Sequence, residues 1–193
     1  MVAPDDFKGS LTADAAARAI ADGWRQVAPD DELDLCPMSD GGPGFVDTLA
    51  GALGGDLISA TIAGPLGEPT PGAVLLVGDT AYVESAQACG LHLIPAADRD
   101  PASTTTFGVG ELLRLALDAG ASRIVVGLGG SATNDGGAGL LAALGATADV
   151  PLNKGGLVLR GATAVDISAA VAAVSGVELL AATDVDNPLL GLT

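Results

Sequence analysis

Four short polar segments hold most of the side chains in this 193-residue sequence that could do chemistry. They are Asp5-Asp6-Phe7-Lys8-Gly9-Ser10, Ser39-Asp40-Gly41-Gly42, Gly129-Gly130-Ser131-Ala132-Thr133-Asn134-Asp135-Gly136-Gly137, and Asp184-Val185-Asp186-Asn187. Each follows an apolar, strand-like run, and the first three lead into a helical pattern. Their composition suits an oxyanion. Glycines let main-chain N–H groups approach a phosphate or carboxylate, and Ser131 and Thr133 add hydroxyls. Asn134 and Asp135 suit a metal, a water or a substrate hydroxyl. Lys8, one of two lysines, stands just before a helix start beside Gly9 and Ser10, where a lone ammonium would neutralise a phosphate. Asp40, Asp184 and Asp186 are candidate ligands for magnesium, which takes few carboxylates and keeps its waters. Turn-forming preference explains any one Asp or Gly. It does not explain four glycines around the polar core of the third segment, which asks for a ligand.

Charge narrows the partner. The formal net charge is −16, from 24 acidic residues against 8 basic ones, so no basic face is available for nucleic acid. An anionic ligand must then be held by backbone amides, by one or two placed cations, or by a bound metal. An apolar content of 49% argues against a disordered chain. No run approaches the roughly 18 apolar residues of a membrane span, and the N-terminus MVAPDDFKGS lacks a secretory core. A cytoplasmic protein without membrane contact is expected. Cys36 and Cys89 fit no metal or redox spacing and read as small buried hydrophobes. One histidine, His92, and no G-x-S-x-G elbow argue against a Ser-His-Asp enzyme; no Walker A loop is present. Gly127-x-Gly129-x-x-Ala132 resembles the dinucleotide fingerprint, with Asp149 near the place of the ribose acid. The helix begins too late for that motif, so a dinucleotide-dependent oxidoreductase stands as the alternative.

The elements that must position these residues alternate between strand and helix. Val2-Ala3 reads as the end of a strand. A helix over 13–27 follows, with Thr12 as N-cap and an apolar stripe of Ala13, Ala16, Ile20, Trp24 and Val27 facing the core. A strand over 33–36 and a helix over 45–53 come next. Strands are predicted over 57–63, 73–77 and 80–85; Glu84, in the last of these, needs a partner if buried. Helices over 109–119, 138–144 and 168–174 and strands over 124–126 and 177–183 complete the pattern. The expected fold is α/β, a flavodoxin- or Rossmann-like parallel sheet with helices on both faces and ligand loops at the carboxyl ends of strands. Residues 1–56 and 105–193 are expected to form that region, and 57–104 a β-hairpin-rich segment of a second lobe. The first strand has almost no residues before its turn, and the last reaches a polar loop without the returning helix a βα unit needs, so the chain reads as truncated.

Seven segments, APDDFKGSLTA, SDGGPGFVDTL, GPLGEP, VESAQACGL, TTTFGVGELL, GLGGSATNDGGAGLLAALG and ATDVDNPLLG, resemble in order the signatures of the type I glycerate kinase family. The resemblance covers essentially the whole chain. It implies ATP-dependent phosphorylation of D-glycerate, with magnesium, by a two-lobed α/β enzyme. Under it, the Gly129–Gly137 loop and the helix after it would cradle phosphate oxygens. Lys8 and Ser10 would neutralise the transferred group or hold the glycerate carboxylate. Asp5, Gly41, Gly42, Gly130, Gly136 and Asn187 would add substrate or nucleotide contacts. Magnesium would be held through Asp184, Asp186 or Asp40, and Asp135 would orient or deprotonate the glycerate hydroxyl, with Asp184 as second choice. The sequence departs from the family at Asp6, Pro43 and Phe45, where Ser or Lys, Glu, and a small hydroxyl residue are usual. Members of the family are also much longer, so an inactive truncated fragment of the kinase stands as a further alternative.

Overall fold

A computed structural model describes residues 1–185. Along the chain, helices α1 (Ala13–Arg25) and α2 (Phe45–Leu53) precede strands β1 (Asp56–Ala63), β2 (Pro69–Val77) and β3 (Thr80–Glu84). Then come α3 (Ala86–Cys89), α4 (Phe107–Asp118), β4 (Arg123–Gly127) and α5 (Ala138–Ala143). The short strands β5 (Thr147–Ala148) and β6 (Val165–Asp166), helix α6 (Ser168–Ala173) and strand β7 (Glu178–Ala182) follow.

Five strands form one sheet in the order β1-β2-β3-β4-β7, and β5 pairs with β6 in a separate two-stranded ribbon. β1, β2 and β3 are antiparallel neighbours, whereas β3, β4 and β7 run parallel. The hairpin-rich stretch therefore continues directly into the parallel half. β3 pairs with β4 from Thr80↔Arg123 to Glu84↔Gly127, so strands from either side of the boundary expected at 105 share one sheet. Local hairpin chemistry made 57–104 look self-contained; a pairing some forty residues along the chain joins it to the rest.

The fold is α/β, as the alternating pattern predicts, with helices on both sheet faces. Val74, Ala81, Val83 and Ile124 face one way and pack with Val109, Leu112, Leu113 and Ala116 of α4 and with Ala138 of α5. Leu75, alternating with Val74, faces the other way against Phe45 and Val46 of α2. Phe45 stacks edge-on with Tyr82, ring centroids 6.3 Å apart, so a residue that departs from the family pattern is part of this second core.

α1 begins where expected: the Thr12 hydroxyl accepts the Ala15 N–H at 3.2 Å. Its buried face, however, is Ala13, Ala16, Ala17 and Ala21. Trp24, expected in the core, is 52% exposed and donates its indole N–H to Asp31 at 2.9 Å. Small alanines allow close approach, and the helix turns that flank inward rather than the one bearing Ile20 and Trp24. The strand expected over 33–36 is reduced to a single parallel bridge, Val2↔Leu35. The Met38 N–H donates to the Pro4 carbonyl at 2.9 Å, so two of the polar segments leave from adjacent positions.

Candidate functional site

The parallel half of the sheet ends in a registered row: Glu84 of β3 lies opposite Gly127 of β4, which lies opposite Ala182 of β7. Loops after the carboxyl ends of such strands define the ligand crevice of open α/β sheets. Three of the four sequence-predicted segments meet along this edge, and they touch through glycine. A Cβ on Gly41 would stand 2.6 Å from the Ala182 carbonyl oxygen, and one on Gly129 would stand 2.7 Å from the Gly42 amide nitrogen. Backbone thus packs on backbone where Ser39–Gly42, Gly127–Gly130 and the end of β7 converge. Gly41 and Gly42 are buried in this contact; Gly130, Ser131, Asn134 and Gly136 remain exposed on its rim.

Asp40 and Asp184 line one cleft of about 360 Å³, together with Ser39, Gly41 and the backbone from Ala181 to Thr183. Asp40 Oδ1 accepts the Gly42 N–H at 2.8 Å, which fixes the turn and leaves its carboxylate at the cleft. Asp186 and Asn187, the other candidates of this segment, lie outside the described residues. Among the described residues no group of three or more His, Cys, Asp or Glu side chains is arranged to hold a metal.

Asp5, Lys8 and Ser10 are exposed on the remaining loop. Asp5 accepts the Asp6 N–H at 2.7 Å, and the Ser10 hydroxyl donates to the Phe7 carbonyl at 2.7 Å. Among the described residues Lys8 alone, apart from glycines, has a left-handed backbone, φ +42°. Such strain concentrates at functional sites. Among the described residues, no hydrogen bond or ion pair ties this loop to the other three segments.

The Gly129–Gly137 loop is more tightly built than its sequence suggests. The Thr133 hydroxyl, expected to face a ligand, donates instead to the Thr104 carbonyl at 2.7 Å. Asp135 is only 2% exposed. Its Oδ2 accepts the Thr106 N–H at 2.8 Å and the Gly139 N–H at 3.1 Å, and its Oδ1 accepts the Gly137 N–H at 3.0 Å. The Thr106 hydroxyl adds a bond of 2.9 Å to Oδ2. A carboxylate so enclosed has no face for a substrate, so the expected role of Asp135 in orienting or deprotonating a hydroxyl does not fit its place. It also occupies the first-turn amides of α5, which the expected phosphate cradle would have used. The run Thr104–Thr106 was not singled out in the sequence; its signal was four consecutive hydroxyl residues, Ser103 to Thr106, immediately before an apolar helix.

Three other groups are settled by their surroundings. Glu84, 5% exposed, accepts the Val46 N–H of α2 at 3.2 Å, and burial holds its carboxyl above the usual glutamate range. Burial likewise pushes the Cys89 thiol up to about 11, which leaves it unreactive. Asp149, the candidate ribose acid, binds the Thr163 and Ala164 amides and the Thr163 hydroxyl, bonds that draw its pKa down. With α5 starting only at Ala138 and Asp149 so engaged, the fingerprint reading lacks both parts it needs.

A profile of the glycerate kinase family matches residues 1–193. "Glycerate kinase" of Bacillus subtilis (strain 168) is 45% identical over 99% of this chain and 52% of its own length. "Glycerate 2-kinase" of Escherichia coli (strain K12) is 43% identical over the same shares. Among solved structures, a putative glycerate kinase 2 from Salmonella typhimurium LT2 superposes with a TM-score of 0.81 at 42% identity, covering 98% of this chain and 52% of that one. The chain spans about half the length of the curated relatives it matches. With the strand-end loops where the motifs require them, the chain belongs to the glycerate kinase family.

Proposed function

We propose that the protein transfers a phosphoryl group from ATP to a hydroxyl of D-glycerate. The observation that carries this reading is the meeting of two glycine-bearing loops with the end of β7 at the carboxyl edge of the parallel strands, with Asp40 and Asp184 on one cleft. Phosphoryl transfer demands little covalent chemistry and much positioning and charge stabilisation. In an acidic protein the oxyanion must be met by amides and a placed cation. Among the described residues the amides of Gly129, Gly130, Ser131 and Gly136 bond to no protein acceptor and are the proposed phosphate contacts, with the Ser131 hydroxyl beside them. Lys8 neutralises the transferred group, and Ser10 and Asp5 complete its loop. Asn134, exposed on the rim, contacts a substrate hydroxyl or the nucleotide. Asp184, exposed at the end of β7, takes the glycerate proton in place of Asp135.

The donor set fits magnesium, which binds through one or two carboxylates plus substrate phosphates. Asp40 would hold it, with Asp186 as a second candidate, and it would offset phosphate charge. A cytoplasmic setting is part of the proposal. No described helix is long and apolar enough to cross a membrane, and both cysteines are free thiols.

Incubating the 193-residue chain with ATP, magnesium and D-glycerate, and following ADP, tests the reading. D-glycerate-dependent ADP release is expected; its absence, with MgATP binding also absent by calorimetry, removes the kinase assignment for this chain. A fluorescence titration showing NADH binding in place of ATP would return the dinucleotide alternative.

A further inference from the structure

We infer that Asp135 is a positioning residue: it joins the first turns of α4 and α5 and so fixes the shape of the Gly129–Gly137 loop, touching neither substrate nor reacting atoms. The inference rests on the reading of that loop as the oxyanion cradle. Two helices begin within reach of this one carboxylate. Thr106, which caps α4, gives it an N–H and a hydroxyl; Gly137 and Gly139, which open α5, give it two more N–H groups. First-turn amides have no partner inside their own helix, and a negative charge beside them is favourable. The same Thr106 hydroxyl accepts the Leu140 N–H at 2.9 Å, which closes the joint from the other side. The helices meet tightly: a Cβ on Gly110 would stand 2.6 Å from the Ala143 Cβ.

The loop needs such a joint. Four of its nine residues are glycine, so its backbone has more freedom to lose than most. Its near end is tied to Cys89 and Leu91, and its middle to the segment before α4: Thr104 Oγ1 donates to the Ala132 carbonyl at 2.7 Å, and the Asn134 N–H to the Pro101 carbonyl at 3.1 Å. Asp135 sits where these ties end and α5 begins. Its removal frees the far end of the cradle while leaving the sheet intact. Binding suffers, not the chemical step.

The test compares Asp135→Asn, Thr106→Val and Thr106→Ser with the unaltered chain. An amide at 135 must turn its NH₂ toward at least one backbone N–H, donor against donor. Valine at 106 removes the hydroxyl that bridges Asp135 and Leu140, and serine restores it. Amide hydrogen exchange at Gly137, Gly139 and Leu140 is expected to quicken about tenfold or more in Asp135→Asn and Thr106→Val, and to stay near the unaltered rate in Thr106→Ser. MgATP affinity by calorimetry is expected to fall by a similar factor in the first two. In the kinase assay KM rises in both variants, with kcat and the acid limb of the pH profile little changed. Unaltered exchange in Asp135→Asn overturns the inference, as does a large loss of kcat with unchanged KM and a vanished acid limb, which would mark a base. Should Asp135→Asn fail to fold, the Thr106 pair decides alone. Should the unaltered chain bind no MgATP, the functional reading falls while the exchange data still judge the joint.

Discussion

The Gly129–Gly137 loop is bonded to Cys89, Leu91, Pro101, Thr104 and Thr106, residues brought to it by the fold. The Asp5–Ser10 loop, its proposed partner in gripping the anion, is held by bonds within residues 5–11: Asp6 to Asp5, Ser10 to Phe7, Phe7 to Leu11. One loop takes its shape from the tertiary structure and offers main-chain amides. The other takes its shape from its own few residues and offers a side-chain ammonium on a strained backbone. An array of amides has no side chains to tune, so its precision comes from what supports it. A lysine needs only a place to stand.

That difference predicts where mutations act. Lys8→Ala should cut phosphoryl-transfer turnover by about a hundredfold, as loss of a charge-stabilising group does, while shifting the urea unfolding free energy by less than about 1 kcal/mol. Lys8→Gly should be equally impaired yet more stable than Lys8→Ala by about 1 kcal/mol, because glycine accepts φ +42° without strain. Turnover retained in Lys8→Ala would remove the ammonium from the grip.

Two glycines sharpen the comparison on stability. Gly41 and Gly9 both have left-handed φ, +93° and +83°. Gly41 is pressed against Ala182, whereas nothing lies within 4 Å of a Cβ on Gly9. Gly41→Ala should cost about 3 kcal/mol from strain plus steric displacement; Gly9→Ala should cost about 1 kcal/mol from strain alone. Equal costs in urea titrations would mean that the strand-end contact yields easily. Hydroxyls divide the same way. Thr104→Val leaves the Ala132 carbonyl without its buried donor and should cost about 1–3 kcal/mol. Exposed Ser10→Ala should change stability by less than about 0.5 kcal/mol.

The sequence made the loops legible because glycine and polar residues after an apolar run have few other uses, and three of the four do meet. Residue type does not report burial, however, so Asp135 read as a base when its partners, Thr105, Thr106 and the amides opening α5, lie about thirty residues away or in the next helix. Trp24 failed for a related reason. A helical stripe names which residues share a face, but alanines on the neighbouring face can dock closer than a stripe of large side chains. The continuity of 57–104 with the main sheet depends on the parallel β3–β4 pairing, which no local turn signal announces. The α/β class, by contrast, followed from the alternation of strand-like and helical periods, which is local.

The Ser39–Gly44 loop offers a third means of support and the smallest predicted effect. Its following helix, α2, begins on the buried carboxylate of Glu84, which accepts the Val46 N–H. Burial is the largest influence on this carboxyl and raises its pKa in the folded protein. Below the ordinary glutamate range both states are protonated and the contribution is fully present. As pH rises from that range through the raised folded value, the unfolded state loses its proton first, so stability is lost. Asp14, Asp79, Asp149 and Asp166 have lowered pKa values and act in the opposite sense, losing stability on acidification. They are common to both proteins when the unaltered chain is compared with Glu84→Gln, so the difference between their urea midpoints from about pH 4 to about pH 7 isolates Glu84. The unaltered chain should lose ground to Glu84→Gln as pH rises across this window. A flat difference, or one that moves the other way, would mean that the α2 amides outweigh burial.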